Sequence, residues 1–366
     1  MRSSHATLRR LPGLAFCLAL VLAACAGAGE AADPETTPEE PPAAGQTQGT
    51  ATDTPAEPAG EPVALRYSFD WSPDSDWAPV LWAEELGYFA EEGVEVEYVP
   101  GDPQLVQVLG AGEIDMAQMP GPQALLSYGE DLPFTAVGVQ LPESPLVILA
   151  DADAGIAEPK DLEGHKVAVQ TGEFEGFVWE AWAAAHDIDR SQIEEVPAAG
   201  TADVLFIDHQ VDAFMDFYTS GAMVELTDGR EGEETLFLVG DTLDMIGQSQ
   251  VVNNDYLTQN PEAVRGFLNA WARGAVYALE HPDETIDLVL EKFPELERPG
   301  VEWSFPRFSE FWQSEQFASE GILSFTPEMW DSTKQVLVDA ELMDDVDISA
   351  FYTDEYLPEP PVLPPS

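Results

Sequence analysis

Residues 67–103, YSFDWSPDSDWAPVLWAEELGYFAEEGVEVEYVPGDP, leave this chain few folds to choose from. The run at 65–70 alternates apolar and polar side chains as a strand does, and Trp71-Ser72-Pro73-Asp74 breaks it with turn chemistry. Trp77, Val80, Leu81, Leu86 and Phe89 then recur at helical spacing until Glu92-Gly93 stops the helix. A second strand at 94–99 runs straight into Pro100-Gly101-Asp102-Pro103. The result is a β-α-β unit whose strands both end in loops rich in aromatic or turn residues. Ligands of open parallel sheets bind at such C-terminal strand ends. Asp70, Trp71 and Gly101 are therefore the first candidates for a site.

The alternation continues along the chain. A short helix is expected at 103–110, a strand at 114–119 ending in Met119-Pro120-Gly121-Pro122, a helix at 123–128, and strands at 134–140 and 146–150. A second group opens with the buried-type strand 167–170 and the loop Thr171-Gly172-Glu173-Phe174-Glu175-Gly176, directly before an aromatic helix at 177–185. Free backbone N–H groups at such a helix start suit a ligand-facing loop. Strand 211–217 then leads into Tyr218-Thr219-Ser220-Gly221, and 248–252 returns the chain to the first group. Helices are expected at 261–280, where Val264, Phe267, Leu268, Trp271, Ala275 and Leu279 share a face, and at 282–292, 301–312 and 327–342. The run 356–365 reads as a tail. Two crossings thus join two α/β lobes, residues 63–148 with 253–366 as lobe I and 149–252 as lobe II.

What precedes the lobes is not part of them. Residues 1–24 read as an export signal, with Arg2, Arg9 and Arg10 before an apolar stretch at 14–24 too short to span a bilayer. Leu22-Ala23-Ala24-Cys25 resembles a bacterial lipobox, which implies cleavage before Cys25 and lipidation of its thiol. The other cysteine, Cys17, lies within the signal, so no mature thiol remains for a disulfide, a metal or nucleophilic catalysis. Residues 25–62 form a low-complexity linker with eight acids and no base, too polar to offset its ordering entropy. A flexible chain of that length spans on the order of 35 Å, enough to hold a domain off a membrane.

Charge excludes one class of partner. The sequence has 69 acids against 14 bases, a net charge of −55 that becomes −58 once the three signal arginines are removed. No basic stripe is left to neutralise phosphates, so nucleic acid is not a partner. An acidic, lysine-poor surface stays soluble where salt screens its self-repulsion, and points to a salt-adapted proteome.

DWSP followed by AEELGYFAEEGVEVEYVPGDP, and later VQVLGAGEIDMAQ, is similar to the extracytoplasmic solute-binding proteins of ABC importers. The branch most resembled binds thiamine pyrimidine precursors, and the resemblance runs over roughly residues 63–295. It implies a two-lobed type II periplasmic-binding-protein fold, with two Rossmann-like α/β lobes, two hinge crossovers and a ligand in the cleft. It also implies a monomer anchored outside the cell membrane that hands a small flat heterocycle to a permease, with no cofactor. Riboflavin, or a sulfonate or nitrate, are the alternatives within this class. A pyrimidine-phosphate synthase is the alternative from another class. The fungal synthases of this fold use a histidine and a cysteine-rich motif, both missing here. A synthase would also need a Schiff-base lysine, and only Lys160, Lys166, Lys292 and Lys334 exist.

Family position places a ligand-stacking aromatic at Trp71. Trp77, at the start of the next helix, and Tyr218 and Phe174, at second-lobe strand ends, are further aromatic candidates, while Trp82 and Phe217 read as core. Asp70, Glu175 and Asp216 offer acceptors to an amino group or ring N–H, and Gly101 and Met119 border the same strand ends. The five histidines are scattered without a zinc pairing, and no nucleophile elbow or P-loop occurs. The charge makes a prediction of its own. As the Debye length falls from about 10 Å at 0.1 M salt to about 3 Å at 1 M, the melting temperature should rise. A flat or falling curve removes the salt-adaptation reading.

Overall fold

The structure, a computed structural model, describes residues 61–70, 73–99, 101, 104–130, 132–170, 174–198, 200–226 and 235–366. The export signal, Cys25, the linker up to residue 60 and Trp71 lie outside them.

Among the described residues, ten strands form two five-stranded sheets. The chain begins the first sheet with β1 (Val63–Ser68), β2 (Val94–Val99), β3 (Met116–Pro120) and β4 (Phe134–Leu141). It builds the second from β5 (Leu146–Ala150), β6 (Lys166–Val169), β7 (Glu194–Pro197), β8 (Ala213–Phe217) and β9 (Thr235–Leu238). It then returns through β10 (Gln248–Asn253). The first sheet runs β2-β1-β3-β10-β4, parallel from β2 to β3, with β10 antiparallel to both neighbours. The second runs β7-β6-β8-β5-β9, with β5 antiparallel to β8 and β9. Helices lie on both faces of each sheet, as parallel strands require. The fold is the two-lobed α/β arrangement of periplasmic binding proteins.

Each sheet divides its apolar residues between two clusters. On one face of the first sheet, Leu65, Tyr67, Phe69 and Met116 pack with Phe267 and Trp271 of helix Pro261–Glu280; on the other, Ala117, Met119 and Val251 pack with Trp330. In the second sheet, Ile148, Val167 and Met215 meet Trp179 and Trp182, while Val147, Leu149 and Phe214 meet Phe206 and Met223. This period-two partition is why the strands read clearly in the sequence.

The passages between sheets fall at 142–145 and 239–247, so β5 belongs wholly to the second sheet and β10 wholly to the first. These joints lie a few residues from the expected 148/149 and 252/253. They are packed against one another: a Cβ on Gly247 would stand 2.3 Å from the Glu143 carbonyl oxygen and 2.8 Å from Pro145 Cδ. Two other expectations change. Strand β9 was not expected from the sequence, and it pairs only with β5 at the sheet edge. The expected tail is docked: Ile322 N–H donates to Val362 O at 2.8 Å, and Leu357 packs on the first-lobe core. A proline-rich run forms no helix, yet its sparse apolar residues still cover a core edge.

Helix Pro261–Glu280 lies against helix Ala78–Glu85. A Cβ at Gly274 would sit 2.0 Å from the Pro79 carbonyl oxygen. Gly274→Ala should therefore lower stability by about 1–3 kcal/mol, despite the better helix propensity of alanine. Gly129→Ala, whose Cβ would meet nothing nearer than 3.7 Å, is the control. Equal urea midpoints for the two variants would show that the helix pair is not held this close.

Candidate ligand-binding site

Just past the end of β1, the chain turns with three carboxylates in seven residues: Asp70, Asp74 and Asp76. Two glutamines from the centre of the first sheet meet them. Gln118 of β3 donates through Nε2 to Asp70 Oδ1 at 3.2 Å and to Asp76 Oδ2 at 2.8 Å. Gln248 of β10 donates through Nε2 to Asp70 Oδ2 at 3.0 Å. Behind them Tyr67 O–H donates to Gln250 Oε1, and Gln250 Nε2 to Gln140 Oε1, both at 2.9 Å. Tyr67, Gln118, Gln248 and Gln250 are buried, so the strand ends carry a polar seam inside an otherwise apolar face.

No lysine or arginine among the described residues bonds to these three carboxylates. Burial without a cation disfavours the charged form. Desolvation pushes Asp70 up to about 6, opposed by the bonds from Gln248 and Gln118. Asp76 is pushed well above the usual carboxylate range, first by desolvation and then by repulsion from Asp74 and Asp70.

Asp74 faces the other lobe. It accepts from Ser304 Oγ at 2.8 Å and Ser75 N–H at 2.7 Å, and the backbone of Gly221, beyond β8, lies close enough to favour its charged form. Beside it, helix Arg298–Trp312 sends Trp303 into the second-lobe apolar cluster, and Trp303 Nε1 donates to Tyr218 O at 3.1 Å. The Arg307 guanidinium covers Trp303 at 3.3 Å and Tyr218 at 4.7 Å from the ring centroids, while Nη1 donates to Trp303 O at 2.8 Å. Here the two lobes meet.

The structure treats the expected site residues unequally. Asp70 lies at the centre of the polar seam, and Tyr218 stands three residues from the Gly221 that meets Asp74. Asp216 accepts from Phe217 N–H at 2.7 Å and is pushed up to about 7, by desolvation first and then by Glu175 and Asp203. Asp216 and the half-buried Glu175 thus form a second acidic pair on the second lobe. Gly101 is exposed, and Phe174 opens helix Phe174–Ala185, with its side chain outside the described residues. Two expectations need correction. Trp77 stacks on Phe69 at 3.7 Å, buried in the first-lobe core, because the first helical turn after the loop packs down onto β1. Met119 is fully buried on the opposite face of its strand, so strand alternation gives the site Gln118 instead. Gln118, Gln248, Asp76, Trp303 and Arg307 were missed. A glutamine within a buried strand (AQM, GQSQV) was the available signal for the first two; nothing local marks the helix residues.

The family profile described as NMT1/THI5 like matches residues 74–285, more than half of the sequence. The chain belongs to the NMT1/THI5-like family. Among relatives, a 4-amino-5-hydroxymethyl-2-methylpyrimidine phosphate synthase of Legionella pneumophila is 27% identical over 301 residues, 80% of this chain and 92% of that protein. The riboflavin-binding protein RibY of Chloroflexus aurantiacus is 27% identical over 302 residues, 78% of this chain and 84% of that protein. Among solved structures, the periplasmic aliphatic sulphonate-binding protein SsuA of Escherichia coli superposes with a TM-score of 0.63 at 18% identity, over 80% of this chain and 92% of that one. At that identity the likeness concerns the fold.

The raised carboxyls give stability a pH dependence. A carboxyl whose folded value exceeds its unfolded value of about 3.9 holds more protons folded than unfolded across that window. Asp70 and Asp216 therefore favour folding at low pH, and that contribution is lost as pH rises from about 4 through 6 and 7. In 1 M salt, with surface repulsion screened, Asp216→Asn should be more stable than the parent by on the order of 2 kcal/mol at pH 8 and equal to it near pH 4. A pH-independent difference between the two melting curves would contradict this assignment.

Proposed function

We propose that this chain is the solute-binding component of an ABC import system. A lipid on Cys25 tethers it outside the cell membrane, the long acidic linker gives it reach, and two lobes close over a small flat heterocycle of the thiamine-pyrimidine-precursor type. A permease then takes the ligand, and the protein itself catalyses no reaction. The observation that carries this reading is the polar seam of Asp70, Gln118 and Gln248 at the strand ends, beside the place where Asp74 and Tyr218 bring the lobes together. Buried hydrogen-bonding groups at an inter-lobe face suit a ligand that is recognised by its ring edge. Relatives named for an aminopyrimidine and for riboflavin both concern flat nitrogen heterocycles.

The lysines support binding over synthase chemistry. Lys160, Lys166, Lys292 and Lys334 are each held in an ion pair, with Glu163, Glu194, Glu85 and Asp345 respectively. None of them approaches Asp70 or its glutamines through a hydrogen bond or ion pair among the described residues. Imine chemistry with a pyridoxal-type aldehyde needs a free amine near the cleft.

On this reading Trp71 and Tyr218 contact opposite faces of the ligand ring. Trp71→Ala and Tyr218→Ala should each weaken binding of 4-amino-5-hydroxymethyl-2-methylpyrimidine by about 5- to 100-fold, measured by tryptophan quenching and calorimetry. The melting temperature separates the two causes of a loss, since Tyr218 also packs on Trp303 and Arg307. Unchanged affinity in both variants would displace the ligand from this cleft.

A further inference from the structure

The hydrogen bonds that hold the polar seam also fix what it still has to offer. As a carboxylate Asp70 only accepts, so Gln118 and Gln248 both turn Nε2 toward it, and Gln118 Nε2 reaches Asp76 as well. Their carbonyl oxygens then face away, and neither Gln118 Oε1 nor Gln248 Oε1 has a protein partner. Asp76 Oδ1 has none either. The three residues are 1%, 6% and 8% exposed, so these are buried acceptors tied into one unit through Asp70. Gln140 Nε2 is a buried orphan of the opposite sense, one bond further back behind Gln250. A buried acceptor without a donor costs roughly 1–3 kcal/mol, and the unit therefore asks for a molecule that brings N–H groups.

We infer that Asp76, Gln118 and Gln248 are specificity-determining residues of the first lobe, and that together they take the ligand as a protonated nitrogen base presenting two or more N–H donors. This rests on the inter-lobe binding reading above and adds to it the charge state of the ligand and the groups that select it. An amidine-type edge, an exocyclic amino group beside a protonated ring nitrogen, supplies two parallel donors. A neutral oxo ring turns at least one carbonyl oxygen toward an acceptor, and a sulfonate turns several. Three carboxylates, Asp70, Asp74 and Asp76, stand here with the phenols of Tyr67 and Tyr98 as the other titratable neighbours. Burial and mutual repulsion make this cluster hold a proton that exposed carboxylates would release. A neutral base entering the site takes that proton on its ring nitrogen. The O–H bond of the carboxyl breaks, an N–H bond forms, and a carboxylate and a ring cation remain paired, with no net proton exchanged with solvent.

Calorimetry on the full mature chain at pH 7 in 1 M salt tests this with four probes. They are 4-amino-5-hydroxymethyl-2-methylpyrimidine, its 4-oxo counterpart, riboflavin and methanesulfonate. The amino compound should bind at least 10-fold more tightly than the oxo compound, with heats that do not change between buffers of different ionisation enthalpy. Asp76→Asn, which adds an N–H where an acceptor is needed, should bring the two pyrimidines to within about threefold, and Gln118→Leu should weaken the amino compound about 10-fold. The ratio in the unmodified protein stands by itself if either variant fails to fold. Tighter binding of the oxo compound, riboflavin or methanesulfonate overturns the charge assignment and leaves the cleft reading intact. Saturable binding of none of the four by the folded protein overturns both.

Discussion

A single amide nitrogen, Gln118 Nε2, holds the half-buried Asp70 and the buried Asp76 at once, and much of the first lobe is arranged around that fact. Taking a carboxylate out of water without a cation is expensive unless hydrogen bonds replace the lost solvation. Here they come from glutamines on β3 and β10, the two strands at which the first sheet changes direction. Asp70 and Asp76 are thereby pinned to the centre of the sheet, and the loop between them is fixed at both ends. Asp74, inside that loop, is turned toward the second lobe, where the backbone of Gly221 favours its charged form. One short acidic turn thus touches the sheet that would recognise a ligand and the lobe that would close over it.

Closure has two sides. Next to the hinge, the joints at 142–145 and 239–247 pack so closely that Gly247 has no room for a Cβ. At the other contact, helix Arg298–Trp312 belongs to the first lobe but places Trp303 among Val147, Leu149 and Phe214 of the second. Gly300 and Gly221 approach so closely that a Cβ on either would stand 3.2 Å from the other's backbone. A tryptophan buries about 150–250 Å², so withdrawing Trp303 on opening costs on the order of several kcal/mol. Protein contacts alone would therefore oppose a separation of the lobes at this helix.

The architecture was largely legible because the signals that carry it are local. The alternation at 65–70 and the apolar face of 261–280 each follow from one element's own period, and both elements are present; the stripe from Trp77 to Phe89 is divided among a 3-10 turn at Ser75–Trp77, a helix at Ala78–Glu85 and a helical turn at Tyr88–Glu91, because Gly87 takes a φ of 75° between the last two. The cleft was less legible, since it is built by pairing. Asp70 was marked by its place at a strand end, but Gln118 could be told from Met119 only by knowing which face of β3 looks toward the turn. Trp77 has the sequence position of a cleft residue and the packing of a core residue, its indole stacked on Phe69. Trp303 and Arg307 sit on a helix more than 200 residues from Asp70, and no spacing rule connects them. The docked run 356–365 was misread as a tail for a related reason: proline content signals the lack of a helix, not the lack of a partner.

The acidity of the chain and the chemistry of the seam bear on one another through distance. A net charge of −55 creates a field that gathers cations at low ionic strength, yet at 1 M salt that field fades within about 3 Å of the surface. In such a medium, surface carboxylates cannot tell one cation from another, since every one of them is already surrounded by counterions. Discrimination must come from groups that salt does not reach, where contact replaces both water and counterion. Asp70 and Asp76, held by neutral glutamine amides instead of lysine or arginine, are carboxylates of that kind. A guanidinium in their place would have stabilised the empty site and left nothing for a ligand to complete. The scarcity of basic residues along the chain is thus matched, inside the first lobe, by carboxyl groups held by neutral amides.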